Sequence, residues 1–135
     1  MQQRRLIFAL KGSPHYVCGS SLLTEDLMRI SPATQALTLE GSEVDDEVFL
    51  AMPRLLSLRC LDLDSSKITD QSLDAVARLP ALEELWLECT KITDVGLAKL
   101  HSIKTLKFIS LAYTATTKYG IDALAAAIPG IEVSL

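Results

Sequence analysis

Six carboxylates recur where short apolar–polar alternations of this 135-residue sequence predict β-strands: Glu40, Asp62, Asp64, Glu84, Glu88 and Glu132. Alternate side chains of a strand point to opposite faces, so residues between the apolar positions share the exposed face. Trp86 and Phe108 fall on that face of neighbouring predicted strands, and no Lys or Arg does. A face with carboxylates and two aromatic rings is suited to binding a basic, partly apolar protein or peptide. The predicted binding residues are Trp86, Phe108, Glu40, Asp62, Asp64, Glu84, Glu88 and Tyr113.

Other residues with reactive side chains do not assemble into a catalytic pattern. His15 lies near Cys18, but no orienting acid accompanies them. Asp62, Asp64 and Glu88 have the oxygen ligands that a divalent cation prefers, yet neighbouring strands would project them in a row rather than around a point. We therefore predict that the chain is not an enzyme and holds neither a cofactor nor a metal.

Composition and charge narrow the class of protein further. The chain is 49% apolar and its net charge is −4, so it suits one domain with an aliphatic core and not a nucleic-acid binder. No apolar run approaches the length of a membrane span. The apolar stretch 6–10 is too short for a secretory signal. The cysteines are Cys18, Cys60 and Cys89, an odd number without metal-ligand spacing, which favours a reducing cytoplasm.

A repeat of 24 residues predicts the strands and helices that position the acidic residues. Shifting the sequence by 24 aligns apolar residues in seven columns. One strand column is Leu37, Leu61, Leu85, Ile109 and Val133, and the next is Leu39, Leu63, Leu87, Leu111 and Leu135. Two later columns lie three residues apart within each unit, as neighbouring positions on one face of a helix do. They are Phe49, Leu73, Leu97 and Ile121, and then Met52, Val76, Leu100 and Leu124. Each unit is therefore predicted to contain a short strand, a turn, a short helix and a return loop.

Polar residues at fixed places in the unit predict its turns. A hydroxyl follows every strand, at Ser42, Ser66, Thr90 and Thr114, where it is expected to bond backbone amides of the turn. Thr69-Asp70 and Thr93-Asp94 are expected to supply a helix N-cap and an acidic first turn. The predicted fold is α/β, with stacked units that bury a continuous core.

The segments LRCLDLDSSKITDQSLDAVARLP (58–80) and LEELWLECTKITDVGLAKL (82–100) resemble leucine-rich repeats of the LxxLxLxxTxITDxGLxxL type. Such repeats occur in bacterial repeat proteins and in F-box substrate adapters. The resemblance covers about residues 36–135 and implies a right-handed horseshoe segment. In it, a parallel sheet lies on the concave face and short helices lie on the convex face. Val44-Asp45-Asp46 and Thr116-Thr117-Lys118 depart from the pattern.

Domain organisation is predicted as one domain with two parts. Residues 1–36 are expected to cap the repeats as an irregular unit, with a strand at 6–10, an insertion around 11–20 and a helix carrying Leu23, Leu27 and Ile30. Residues 37–135 form about four full units and a terminal strand. The strand near Val133–Leu135 would then have a bare edge.

Function is predicted as a bacterial, cytoplasmic, non-enzymatic protein-interaction module. Trp86 and Phe108 would anchor the partner on the acidic concave face, and the carboxylates would steer it. An alternative is a self-associating subunit that forms a homodimer through its C-terminal edge strand. A substrate adapter of F-box type is a further alternative, which the capping character of residues 1–36 disfavours. We expect neither nucleic acid nor membrane as a partner.

Overall fold

In the computed structural model, the described part of the chain is Leu10 and residues 13–135. Its strands form one parallel six-stranded sheet in which each strand pairs with the next along the chain. Every strand is three residues long: β1 Tyr16–Cys18, β2 Ala36–Thr38, β3 Cys60–Asp62, β4 Glu84–Trp86, β5 Phe108–Ser110 and β6 Glu132–Ser134. The architecture is therefore α/β with a single open parallel sheet, compatible with a repeat solenoid.

The strand register reproduces the spacing of the sequence repeat. From β2 to β6 each residue pairs with the residue 24 positions later, so Leu37 pairs with Leu61, and Leu61 with Leu85. Ile109 and Val133 continue the same row. The first strand column predicted from the sequence is thus the central row of the sheet.

Short helices and loops connect the strands, because parallel neighbours need a crossover connection. The helices are α1 Thr24–Leu27, α2 Asp46–Ala51, α3 Leu73–Val76, α4 Asp94–Lys99 and α5 Lys118–Ala127. A 3₁₀ turn at Asp70–Ser72 precedes α3, and another at Leu100–Ser102 follows α4. Thr69 and Thr93 are the predicted N-caps, and each accepts a hydrogen bond from a backbone N–H two residues on.

The aliphatic core lies between the sheet and the helices. Leu61, Leu85 and Ile109 are fully buried, as are the helix residues Leu73 and Leu97. Fully burying one such side chain contributes about 1.5–3 kcal/mol. A single unit cannot bury both its strand row and its helix row, so the units stabilise one another by stacking.

The first unit differs from the prediction. Of the predicted strand 6–10 only Leu10 belongs to the described residues, and its backbone is helical; the rest of that prediction lies outside them. The strand that pairs with β2 is Tyr16–Cys18, inside the segment expected to be an insertion. Tyr16 pairs with Ala36, 20 positions later, so the unit is shorter than 24 residues and its strand was hidden from an alignment at that shift. A helix is present as α1, but it is shorter than predicted: Leu27 lies in it and is buried, Ile30 is buried beyond its end, and Leu23 precedes it and is exposed.

The recurring hydroxyl after each strand agrees with the prediction in two of the four units. Ser42 and Thr114 accept from the backbone N–H two residues on, at 3.3 and 3.4 Å. Ser66, Thr90 and Thr114 also donate to the carbonyl oxygen three residues earlier, at 2.6–2.8 Å, which was not predicted. These bonds satisfy carbonyl oxygens at the point where the chain leaves the sheet.

None of the helices in the described ranges combines the length and apolarity that a bilayer-crossing segment requires.

Candidate functional site

The acidic face is the side of the sheet opposite the helices, and its side chains stand in rows because the strands are parallel and in register. One row contains Glu84, Phe108 and Glu132. The neighbouring row contains Asp62, Trp86 and Ser110. Glu40, Asp64 and Glu88 follow the strands and continue the same alternation. Adjacent members of a row are about 4.8 Å apart along the sheet.

The predicted aromatic pair is in contact, but the prediction that it is exposed is wrong. The ring centroids of Trp86 and Phe108 are 4.7 Å apart, with 44° between the ring planes. Only 4% of Trp86 and 5% of Phe108 is exposed. Both rings belong to a second apolar cluster with Ala36 and Cys60, against which Leu10 and Tyr16 pack as partly buried neighbours. Parallel sheets are commonly covered on both faces, and the alternation in the sequence cannot show which residues cover the second one.

The carboxylates divide into buried and open groups, which corrects the expectation of a uniformly exposed field. Asp62 is fully buried, and Asp64 and Glu84 are 3% and 8% exposed. Glu40 and Glu132 are exposed, and Glu88 is half-buried. The open acids therefore lie around a buried acidic and aromatic centre.

Hydrogen bonds connect the carboxylates within one unit and between successive units. Asp62 Oδ1 accepts from the N–H of Asp64 at 3.0 Å, and Asp64 Oδ1 accepts from the N–H of Glu88 at 2.7 Å. Glu88 Oε1 accepts from the hydroxyl of Ser110 at 2.5 Å. Bonds from donors to ionised carboxylates are stronger than bonds between neutral groups. These hydrogen bonds hold the carboxylate groups in fixed positions on the face.

The electrostatic effect of these acids is visible at Tyr16. The pKa of its phenol is raised above the usual value, first because of burial and then because of the nearby Cys18 and Asp62. A negative charge close to a phenol opposes formation of a second anion. Asp62 and Glu40 therefore add to the effect of burial on the pKa of Tyr16.

A row of exposed residues in the left-handed backbone conformation borders the acidic face. Gly41, Ser65, Cys89 and Tyr113 have φ between 55° and 65° and are spaced by 24 residues. Ser65 and Cys89 each donate their backbone N–H to a carbonyl of the following unit, at 2.8 and 3.0 Å. Their side chains project at the edge where the strands end, and Tyr113 is 87% exposed there. Tyr113 is thus the predicted aromatic residue that is open to a partner.

The sequence analysis did not predict a series of hydrogen bonds between an Asp of one unit and a Thr of the next. This series, called the ladder below, lies at the starts of the helices and holds the units in register. Asp46 accepts from the N–H and Oγ1 of Thr69, at 2.9 and 2.6 Å, and from Ser72 Oγ. Burial opposes the ionised form of Asp46, but the hydrogen bonds from Ser72 and Thr69 outweigh it and lower the pKa. Asp70 accepts two bonds from Thr93 in the same way. The recurrence of Asp at positions 46, 70 and 94 was the available signal.

Glycine completes this ladder. A Cβ built on Gly96 would overlap Oδ1 of Asp70, and a Cβ built on Gly120 would overlap Oδ1 of Asp94. Ser72 occupies the equivalent place one unit earlier and uses its hydroxyl to bond Asp46 at 2.5 Å. The spacing between Asp and Gly in the repeat therefore reflects contact between units.

The described residues contain no cluster suited to a metal ion, and His15 makes its contacts through its backbone. No group of three or more His, Cys, Asp or Glu residues within them could hold a metal ion. The backbone N–H of His15 binds Ser13 Oγ at 3.2 Å, and its carbonyl accepts from the N–H groups of Gln35 and Ala36. His15 therefore joins the first unit to the second through its backbone.

Comparison with known proteins identifies a structural neighbour. No protein-family model matches the chain, and no curated protein matches its sequence. Among solved structures, leiomodin-1 actin-binding site 2 is similar, with a TM-score of 0.63 and 13% sequence identity. The match covers 82% of this chain and 75% of that one. At this level of identity, the similarity shows a shared fold alone.

Proposed function

We propose that the chain is a leucine-rich repeat protein and a non-enzymatic module that binds a basic, partly apolar protein or peptide on its acidic face. The repeat assignment is supported by the LxxLxLxxTxITDxGLxxL pattern of residues 58–100 and by the register of the strands. The binding assignment is supported above all by the rows that the parallel strands impose on the acids. Glu40 and Glu132 are exposed on this face and Glu88 is half-buried, and a surface of one charge sign attracts a partner of the opposite sign.

The open part of the face determines how a partner would bind. Glu40 and Glu88 stand two strands apart in one row, about 10 Å from each other. Tyr113 lies at the neighbouring edge, and its ring is large, rigid and amphipathic, as the residues that dominate interface energies are. We therefore assign the anchoring role to Tyr113, while Trp86 and Phe108 support the face from within.

Size and charge limit the partner further. From β2 to β6 the sheet spans about 19 Å, which equals about six extended residues. A segment with Lys or Arg at alternate positions would place cations against Glu40 and Glu88, which share a row, whereas Glu132 stands in the row of Glu84 and Phe108. Exposed charges contribute more to association rate than to affinity, so we expect the association rate to fall as salt is added.

The structural neighbour offers modest support. The name of leiomodin-1 actin-binding site 2 states that it binds actin. That protein of similar fold therefore binds another protein. We further propose a bacterial, cytoplasmic setting, which agrees with cysteines that form no disulfide with one another in the described part of the chain.

The test uses a defined probe: a fluorescently labelled peptide of alternating Lys and Leu that spans about 20 Å. We expect Glu40→Lys combined with Glu88→Lys to weaken binding at least about tenfold, because two attractions become repulsions. Tyr113→Ala should weaken binding as well.

Matched controls lie on the helices. Glu47→Lys changes an exposed acid of α2, and Tyr119→Ala removes a ring that is 83% exposed on α5. Both controls should bind the probe like the unaltered chain. Equal loss in the control and test variants, or binding of a Glu–Leu peptide with the same affinity, would contradict the proposal.

Self-association is a second candidate, because β6 forms one edge of the sheet in the described residues and Leu135 beside it is 75% exposed. An exposed strand edge can pair with a second chain. Sedimentation over a hundredfold concentration range would decide: a dimer that Val133→Pro disrupts supports edge pairing, and a monomer throughout removes this candidate.

A further inference from the structure

A cavity of about 240 Å³ opens on the helix side of the sheet, between the unit that contains α2 and the unit that contains α3. Its floor is formed by the strand residues Leu37 and Leu61, and Leu55 and Leu79 belong to its walls. It lies on the opposite side of the sheet from the acidic face and is independent of the function proposed above.

The cavity exists because the unit of α2 closes its core less completely than the later units. Leu73 and Val76 are fully buried, whereas the corresponding Phe49 and Met52 are only partly buried. Pro53 follows Met52, and a proline disfavours helical backbone in the residue before it. The helix α2 accordingly ends at Ala51, without the 3₁₀ turn that extends α4.

The polar chemistry at this cavity is cationic. Arg54 and Arg78 are exposed residues that line it, and no acidic residue does so among the described residues. Nη2 of Arg54 reaches across to the carbonyl oxygen of Arg78, at 3.4 Å. Neither guanidinium has an ion pair with a carboxylate of the described residues. A guanidinium binds a carboxylate through two parallel hydrogen bonds, so the apolar cavity carries an anion-binding group at its mouth.

We propose that this cavity binds a medium-chain aliphatic carboxylate, with the chain against the leucines and the head group on Arg54 and Arg78. A cavity of about 150 Å³ accommodates benzene, so this volume accommodates about eight to ten carbon atoms. Octanoate fits that size. Each buried methylene strengthens binding about fourfold, and butanoate has four fewer, so it should bind at least roughly a hundredfold more weakly than octanoate.

The experiment is a titration of the full chain, labelled with ¹⁵N, with sodium octanoate, butanoate and octanol. We expect saturable shifts from octanoate, centred on the amides of Leu55, Leu58 and Leu79. Octanol shares the chain but lacks the charge, so it should bind about tenfold more weakly, as expected for loss of a charge-assisted hydrogen bond.

Three variants make the result specific. Arg54→Gln with Arg78→Gln should reduce the affinity for octanoate to that for octanol, and Ala75→Phe should abolish binding by filling the cavity that Ala75 lines. Arg29→Gln, which removes an exposed cation outside the cavity, should leave binding unchanged. Thermal unfolding without ligand shows whether each variant is folded. Non-saturable shifts, equal affinity for octanoate and octanol, or unchanged binding by folded Ala75→Phe would overturn the proposal.

Discussion

Gly96→Ala tests the contact between units at a single atom. Gly96 is buried in α4, and an added Cβ would overlap Oδ1 of Asp70 and lie 2.8 Å from its Cγ. Asp70 cannot move away without losing its bonds from Thr93, one from the N–H at 2.9 Å and one from Oγ1 at 2.5 Å. Cδ1 of Leu73 lies 3.0 Å from the added atom and restricts the adjustment further.

The magnitude follows from two opposing effects. A hydrogen bond to a charged group contributes about 1.5–3 kcal/mol, and Asp70 has two such bonds and is half-buried. Alanine favours a helix over glycine by about 1 kcal/mol. We therefore expect Gly96→Ala to lower the free energy of unfolding by about 2–5 kcal/mol, although helix propensity alone predicts stabilisation.

A double-mutant cycle separates the two effects. In an Asp70→Ala background the carboxylate is absent, so Gly96→Ala should become neutral or stabilising. Guanidinium denaturation can follow the fluorescence of Trp86, which is the single tryptophan and is buried. If Gly96→Ala destabilises both backgrounds equally, or stabilises the unaltered chain, the ladder reasoning is wrong.

Two further predictions concern charge and burial. The folded-state pKa of Asp46 is lowered, so its stabilisation is present above the unfolded value of 3.8 and is lost as pH falls through the folded value. Asp46→Asn should therefore flatten the acid limb of denaturation midpoint against pH; an unchanged limb contradicts this. Phe108→Ala should cost about 3–5 kcal/mol in thermal unfolding, because the ring is buried against Trp86. A cost below about 1 kcal/mol would indicate an exposed ring.

The sequence was sufficient for the repeating part of the fold because its apolar columns and its strand register share one spacing. Leu37, Leu61 and Leu85 stand side by side in the sheet as their column predicts. The N-cap roles of Thr69 and Thr93 were predictable for a local reason, since capping depends on residues two positions apart. The strand at Tyr16–Cys18 was not predictable, because its unit has another length.

The site was predicted in position but not in exposure. Alternation within a strand shows which side chains share a face, and Trp86 does share one with Asp62. The alternation contains no information on contacts from residues elsewhere in the sequence. The packing of Leu10 and Tyr16 onto the aromatic cluster could therefore not be predicted. The Asp–Gly contact between units was equally hidden, because the two partners lie 26 positions apart.

In-register stacking of the units underlies the rows of acids, the exposed edge and the ladder, and one cross-linking measurement tests it directly. Ser65 and Cys89 occupy equivalent exposed positions with φ of 55°, about 5 Å apart on neighbouring units. That separation permits a disulfide. We predict that Ser65→Cys, once oxidised, forms an intramolecular disulfide to Cys89, identified by peptide mass mapping, and that Gly41→Cys, two units away, does not. Absence of the first disulfide, or equal yield from both variants, would contradict the account.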